Sequence, residues 1–95
     1  MDKTDFLQSL EYQTLPEKAL SIYLKSMWYD AKGNWDKAHS SIQDLEDPMA
    51  QQIHAYLHRK EGDLWNAGYW YDKIGMKTPV ISLDQEWNEI VDSLL

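Results

Sequence analysis

The chain has 95 residues, 43% of them hydrophobic and 13% aromatic, with sixteen acids against nine bases and a net charge of −7. That length and composition fit one domain with its own core and exclude a disordered chain, while the acidic sign disfavours duplex nucleic acid and anionic membrane surfaces as partners. With no cysteine, disulfides, thiolate metal sites and a cysteine nucleophile are ruled out.

The start, Met1-Asp2-Lys3-Thr4-Asp5, carries charge where a signal peptide would be apolar, and no apolar run approaches the roughly 20 residues of a membrane span. The expectation is a cytoplasmic protein without a membrane segment. Turn and cap signals fall at Pro16, Gly33, Asp47-Pro48, Gly62-Asp63, Gly75 and Thr78-Pro79. The intervals between them are helix-sized and almost nothing in them alternates with period two, so the predicted class is all-α.

Thr4 or Asp5 is placed to start a first helix carrying Phe6, Leu7 and Leu10, and Pro16 suits the first turn of a second, where its missing N–H costs nothing. That second helix sets Leu20, Tyr23, Leu24, Met27, Trp28 and Ala31 at three-and-four spacing and ends at Gly33. A third aligns Trp35, Ala38, Ile42 and Leu45. Asp47-Pro48 reads as an N-cap and first-turn proline for a fourth helix with Met49, Ile53, Tyr56 and Leu57. Asp63 caps a fifth, holding Leu64, Ala67, Tyr71 and Ile74, which Gly75 is placed to terminate. After a connector around Pro79, Ser82 and Gln85 form a capping-box pattern before a last helix with Leu83, Trp87, Ile90, Val91 and Leu94. Its natural role is to cover the aromatic run Tyr69-Trp70-Tyr71. Each stripe is amphipathic and needs a partner to be stable.

The strongest pattern is a near-repetition: Gly33, Trp35, Ala38 and Ile42 return 29 residues later as Gly62, Leu64, Ala67 and Tyr71. A Gly-polar-apolar-x-x-Ala unit recurring at such a period marks stacked helical hairpins. With Ser26 and Tyr29 before the first turn and Ala55 before the second, these residues resemble the tetratricopeptide repeat. The period is shorter than that family's 34 residues, and His54 and His58 stand where the family usually has Leu and an aromatic. The resemblance implies two tetratricopeptide-like hairpins (16–46 and 47–75) between an N-terminal cap helix (1–15) and a linker with a C-terminal capping helix (76–95). It also implies a concave face built from first helices, putting Tyr23, Met27, Gln52, Tyr56, Arg59 and Lys60 forward as the residues that bind a peptide or protein partner. The run from His54 to Asp63, with Asn66-Ala67 and Tyr69-Trp70-Tyr71, is further similar to a family of short uncharacterised bacterial proteins, which implies no activity.

His54 and His58 lie four apart on one helix, a spacing that lets two imidazoles reach one ion. Glu61 or Asp63 offers a carboxylate nearby, and His39 on the preceding helix completes a three-histidine set. The pattern lacks the glutamate beside the first histidine that zinc proteases use as base. No phosphate loop, nucleophile elbow or Ser/His/Asp arrangement is present. The leading expectation is therefore a non-catalytic module with no cofactor that docks a peptide or protein. The alternative is a small-molecule or metal site built from His54, His58, Arg59 and Glu61. Leftover aromatic surface adds homo-oligomerisation as a third expectation.

Overall fold

The computed structural model describes residues 1–95. It contains six α-helices and no strand: α1 (Lys3–Tyr12), α2 (Ile22–Ala31), α3 (Trp35–Ile42), α4 (Pro48–Lys60), α5 (Leu64–Lys73) and α6 (Leu83–Leu94). The fold is all-α, and no helix is long and apolar enough to cross a membrane.

Every helix begins on a side-chain oxygen. Asp2, Ser21, Asn34, Asp47, Asp63 and Ser82 each accept the backbone N–H three residues on, a bond worth about 1 kcal/mol per cap. Two starts differ from the sequence reading. Asp2 caps α1, ahead of Thr4 and Asp5. The second helix starts at Ile22 behind Ser21, so Pro16 and Leu20 lie outside it; Ser21 offers a hydroxyl acceptor that Leu15 beside Pro16 has no means to supply. Leu45 likewise falls beyond the end of α3 and is exposed. At the other ends, Gly33 and Gly62 hold φ of +81° and +89°. There the following amide reaches back across the turn, Asn34 N to Tyr29 O at 2.9 Å and Asp63 N to His58 O at 3.0 Å. A Cβ would be strained at either φ, which is why glycine recurs at both hairpin turns.

α2 packs on α3 and α4 on α5 as two tight hairpins. Short side chains allow the approach: Ser26 Oγ donates to Ala38 O at 2.8 Å, and Ala38, Ala55 and Ala67 are fully buried. One apolar cluster joins Phe6 of α1, Leu24, Met27 and Trp28 of α2, Ala38 and Ile42 of α3, Ile53, Tyr56 and Leu57 of α4, and Ile90 and Val91 of α6. Tryptophan N–H groups tie the helices: Trp28 to Ser9 Oγ (3.0 Å), Trp35 to Leu57 O (2.8 Å) and Trp87 to Met27 O (3.1 Å).

α6 lies against α2 and α4, the first helices of both hairpins. It therefore sits on the face expected to be a docking groove, and of the aromatic run it meets Tyr71, whose Oη donates to Glu86 Oε2 at 2.6 Å. Tyr71 is buried and Trp70 half-buried, but Tyr69 stays exposed.

Candidate metal centre

α4 is buried without interruption from Ile53 to His58, so its histidines cannot turn to solvent and must meet neighbouring helices. His54 and His58 are 6% and 8% exposed. Their one-turn spacing places the rings side by side, centroids 4.8 Å apart. α3 packs on α4 and brings the half-buried His39 ring to 4.7 Å from His54 and 5.1 Å from His58. His39 Nε2 and His54 Nε2 are 3.0 Å apart. One ring nitrogen from each of the three histidines lies within 4.8 Å of the others.

Two tryptophans fix the outer ring faces. Trp35 stacks on His39 at 4.7 Å and 11°, and Trp70 stacks on His54 at 4.1 Å and 19°. The Trp70 indole is itself held by Asn66 Oδ1 at 3.2 Å, which gives that helix polar residue its role. The His54 hydrogen bond goes to His39, Nε2 to Nε2, with one ring donating and the other accepting. His58 Nδ1 faces Glu61 Oε1 at 2.7 Å. A carboxylate there takes an N–H, so Nδ1 carries a proton.

Burial works against protonation of two of the rings. Burial, then the nearby His58, lowers the His39 pKa. Burial, then His39 and His58, pulls His54 down to about 4. Both rings are neutral at pH 7, the form that coordinates metal.

A second set of donors, His58, Glu61 and Asp63, adjoins the first. Its carboxylates are engaged locally: Glu61 on His58, and Asp63 as cap of α5, where Asn66 N and Nδ2 donate to it at 3.2 and 3.4 Å.

Of the alternative cluster read from sequence, His54, His58 and Glu61 come together and Arg59 does not. Its guanidinium turns to Glu86 Oε1 at 2.7 Å and to the carbonyl of Ile81. The residues put forward for a concave docking face are likewise dispersed. Met27 and Tyr56 are core residues, 0% and 1% exposed, because α6 covers them. Tyr56 Oη donates to Asp30 Oδ2 at 2.8 Å, and Lys60 Nζ meets Asp30 Oδ1 at 2.8 Å. Burial and then the Asp30 charge raise the Tyr56 phenol. Tyr23 and Gln52 are half-buried, and the Tyr23 phenol is raised by hydrogen bonding to Asp47. Tyr56 and Lys60 line a cleft of about 300 Å³ with Leu7, Asp30, Asp84 and Trp87, all that remains of a groove between α1, α4 and α6.

Sequence reasoning missed the buried acids Asp30 and Glu86 as structural partners. Glu86 carried a signal: it stands three after Leu83 and four before Ile90, on the apolar stripe of its helix. The tryptophan stacking had none, since nothing in spacing pairs Trp70 with His54.

No protein-family model, curated protein or solved structure matches the chain.

Proposed function

We propose that the protein binds a divalent transition-metal ion through His39, His54 and His58. The observation that carries this reading is the convergence of three ring nitrogens, one from each histidine, within 4.8 Å. Imidazole suits zinc, cobalt, nickel and copper and discriminates against calcium and magnesium, which prefer oxygen. Nitrogens set about 2.0–2.1 Å from a tetrahedral ion stand about 3.3 Å apart, a spacing these rings approach by small rotations. The Glu61 contact to His58 and the stacked tryptophans supply the orienting outer shell that such centres use. The reading assigns no reaction.

The test is thermal unfolding in EDTA and then in zinc, nickel or manganese, for wild type and His39→Ala, with circular dichroism to confirm that the variant folds. Zinc at one hundred times its Kd stabilises the native state by about 2.7 kcal/mol, a rise in Tm on the order of 10 °C for a domain this small. No rise with zinc or nickel, or a rise that survives in His39→Ala, removes the reading.

A second reading, docking of a protein partner, draws on a different face. Trp65 is 82% exposed and Leu64 64%. Trp65 and Tyr69 stack at 6.3 Å along the outside of α5, beside a cleft of about 580 Å³ lined also by Met76 and Thr78. Aromatic residues left bare in this way are the type that interface centres use. A second copy of the chain is the partner we propose for it, and light scattering across a concentration range measures it: a mass that stays monomeric up to the high micromolar range sinks this reading.

A further inference from the structure

We propose that the trihistidine centre keeps one coordination position open to an exogenous small anion, an inference that rests on the metal-binding reading above.

The donor count comes first. Three imidazoles leave a four-coordinate ion one ligand short, and three protein ligands with an open fourth position is the pattern of reactive zinc sites, whereas purely structural sites are closed by four. The nearest carboxylates are already committed. Glu61 lies on Nδ1 of His58 at 2.7 Å, and Asp63 holds the start of α5. Arg59, the nearest guanidinium in sequence, is turned away to Glu86.

Access comes next. Every fully buried side-chain nitrogen or oxygen in the molecule has a hydrogen-bond partner, and His58 Nε2 makes no such bond, so this nitrogen is not sealed from solvent. His39 stands half-buried at the edge of the cluster. An approach from that side meets donor nitrogens whose flanks are walled by Trp35 and Trp70.

Charge and size then select the ligand class. Three neutral rings with the single Glu61 carboxylate beside His58 leave a dication partly uncompensated, and two of the rings are less than a tenth exposed. An uncompensated charge in such a place is costly, so an anion is favoured over a neutral donor. None of the clefts on the surface is lined by His39, His54 or His58. The site thus offers no cavity for a bulky organic acid, which narrows the ligand class to hydroxide or a similarly small anion.

Cobalt(II) and azide are the probes. Full-length protein loaded with cobalt is freed of excess metal, its visible absorption is recorded, and azide is added with the bound cobalt assayed afterwards to show that none has been stripped. The expected result is a saturable shift of the bands at one azide per cobalt, retained in Asp63→Asn. Bands that ignore azide overturn the proposal, and bands altered by Asp63→Asn before azide is added overturn it by revealing a fourth protein ligand. A protein that takes up neither cobalt nor zinc fails at the earlier step and removes the metal-binding reading itself.

Discussion

One helix, α4, carries two kinds of polar cluster, and they are built on opposite principles. Towards α2 and α6, Tyr56, Arg59 and Lys60 meet Asp30 and Glu86, every donor against an acceptor and every charge against its opposite. Towards α3 and α5, His54 and His58 meet His39, three bases of the same kind crowded at centroid distances of 4.7 to 5.1 Å. The first arrangement explains itself as packing: Glu86 accepts from Arg59 and from Tyr71 Oη at 2.6 Å and pins α6 to both α4 and α5. The second is held by neutral hydrogen bonding, His39 Nε2 with His54 Nε2 at 3.0 Å, and by the His58 contact to Glu61. Complementary charges account for the first cluster by stability alone, and the second is the one on which the metal-binding proposal rests.

The comparison is broken or sharpened by mutation. Glu86→Ala should have the largest effect, about 3–5 kcal/mol in urea unfolding, because it strands the buried Arg59 guanidinium and the Tyr71 hydroxyl together. His39→Ala in EDTA should cost far less, and equal losses at the two sites would erase the distinction. Next in size, Glu61→Gln should weaken zinc binding 10- to 100-fold by calorimetric titration while leaving stability in EDTA nearly unchanged, since its role is to hold the His58 proton on Nδ1.

How far the sequence carried these conclusions depends on the range of the interaction concerned. Asp47, Asp63 and Ser82 act within one turn of their helices, and Gly33 and Gly62 act within one hairpin, so their residue types were enough. His54 and His58 were legible for the same reason, four apart on one helix. The paths that failed run between distant segments. α6 came to rest on α2 and α4 because Trp87, Ile90 and Val91 complete the cluster around Met27 and Tyr56, and nothing local to residues 83–94 encodes that choice. Met27 and Tyr56, read as part of a docking face, went into the core with it. The start of α2 failed by a smaller margin, where a proline that fits a first turn was outdone by a serine that caps one.

A smaller effect concerns acid. His54 titrates near 4 in the folded chain against 6.5 as its ordinary value. Between those values the unfolded chain holds more protons than the native one, so stability rises with pH and is lost as pH falls from about 6.5 towards 4. In EDTA, His54→Gln should flatten that part of the profile, and an unchanged slope would place the sensitivity elsewhere. Least of all, Trp65→Ala should change stability by no more than about 0.5 kcal/mol, as befits a ring that is 82% exposed. A larger loss would mean that the outer face of α5 belongs to the fold after all.

The unbroken burial of Ile53 to His58 has a kinetic side. A helix wrapped on every side has no face from which it can fray, so the amides of this stretch exchange with solvent only when the whole molecule opens. Deuterium uptake would leave these six residues protected longest, and the slowest clock in the protein would run in the helix that carries two of its three histidines.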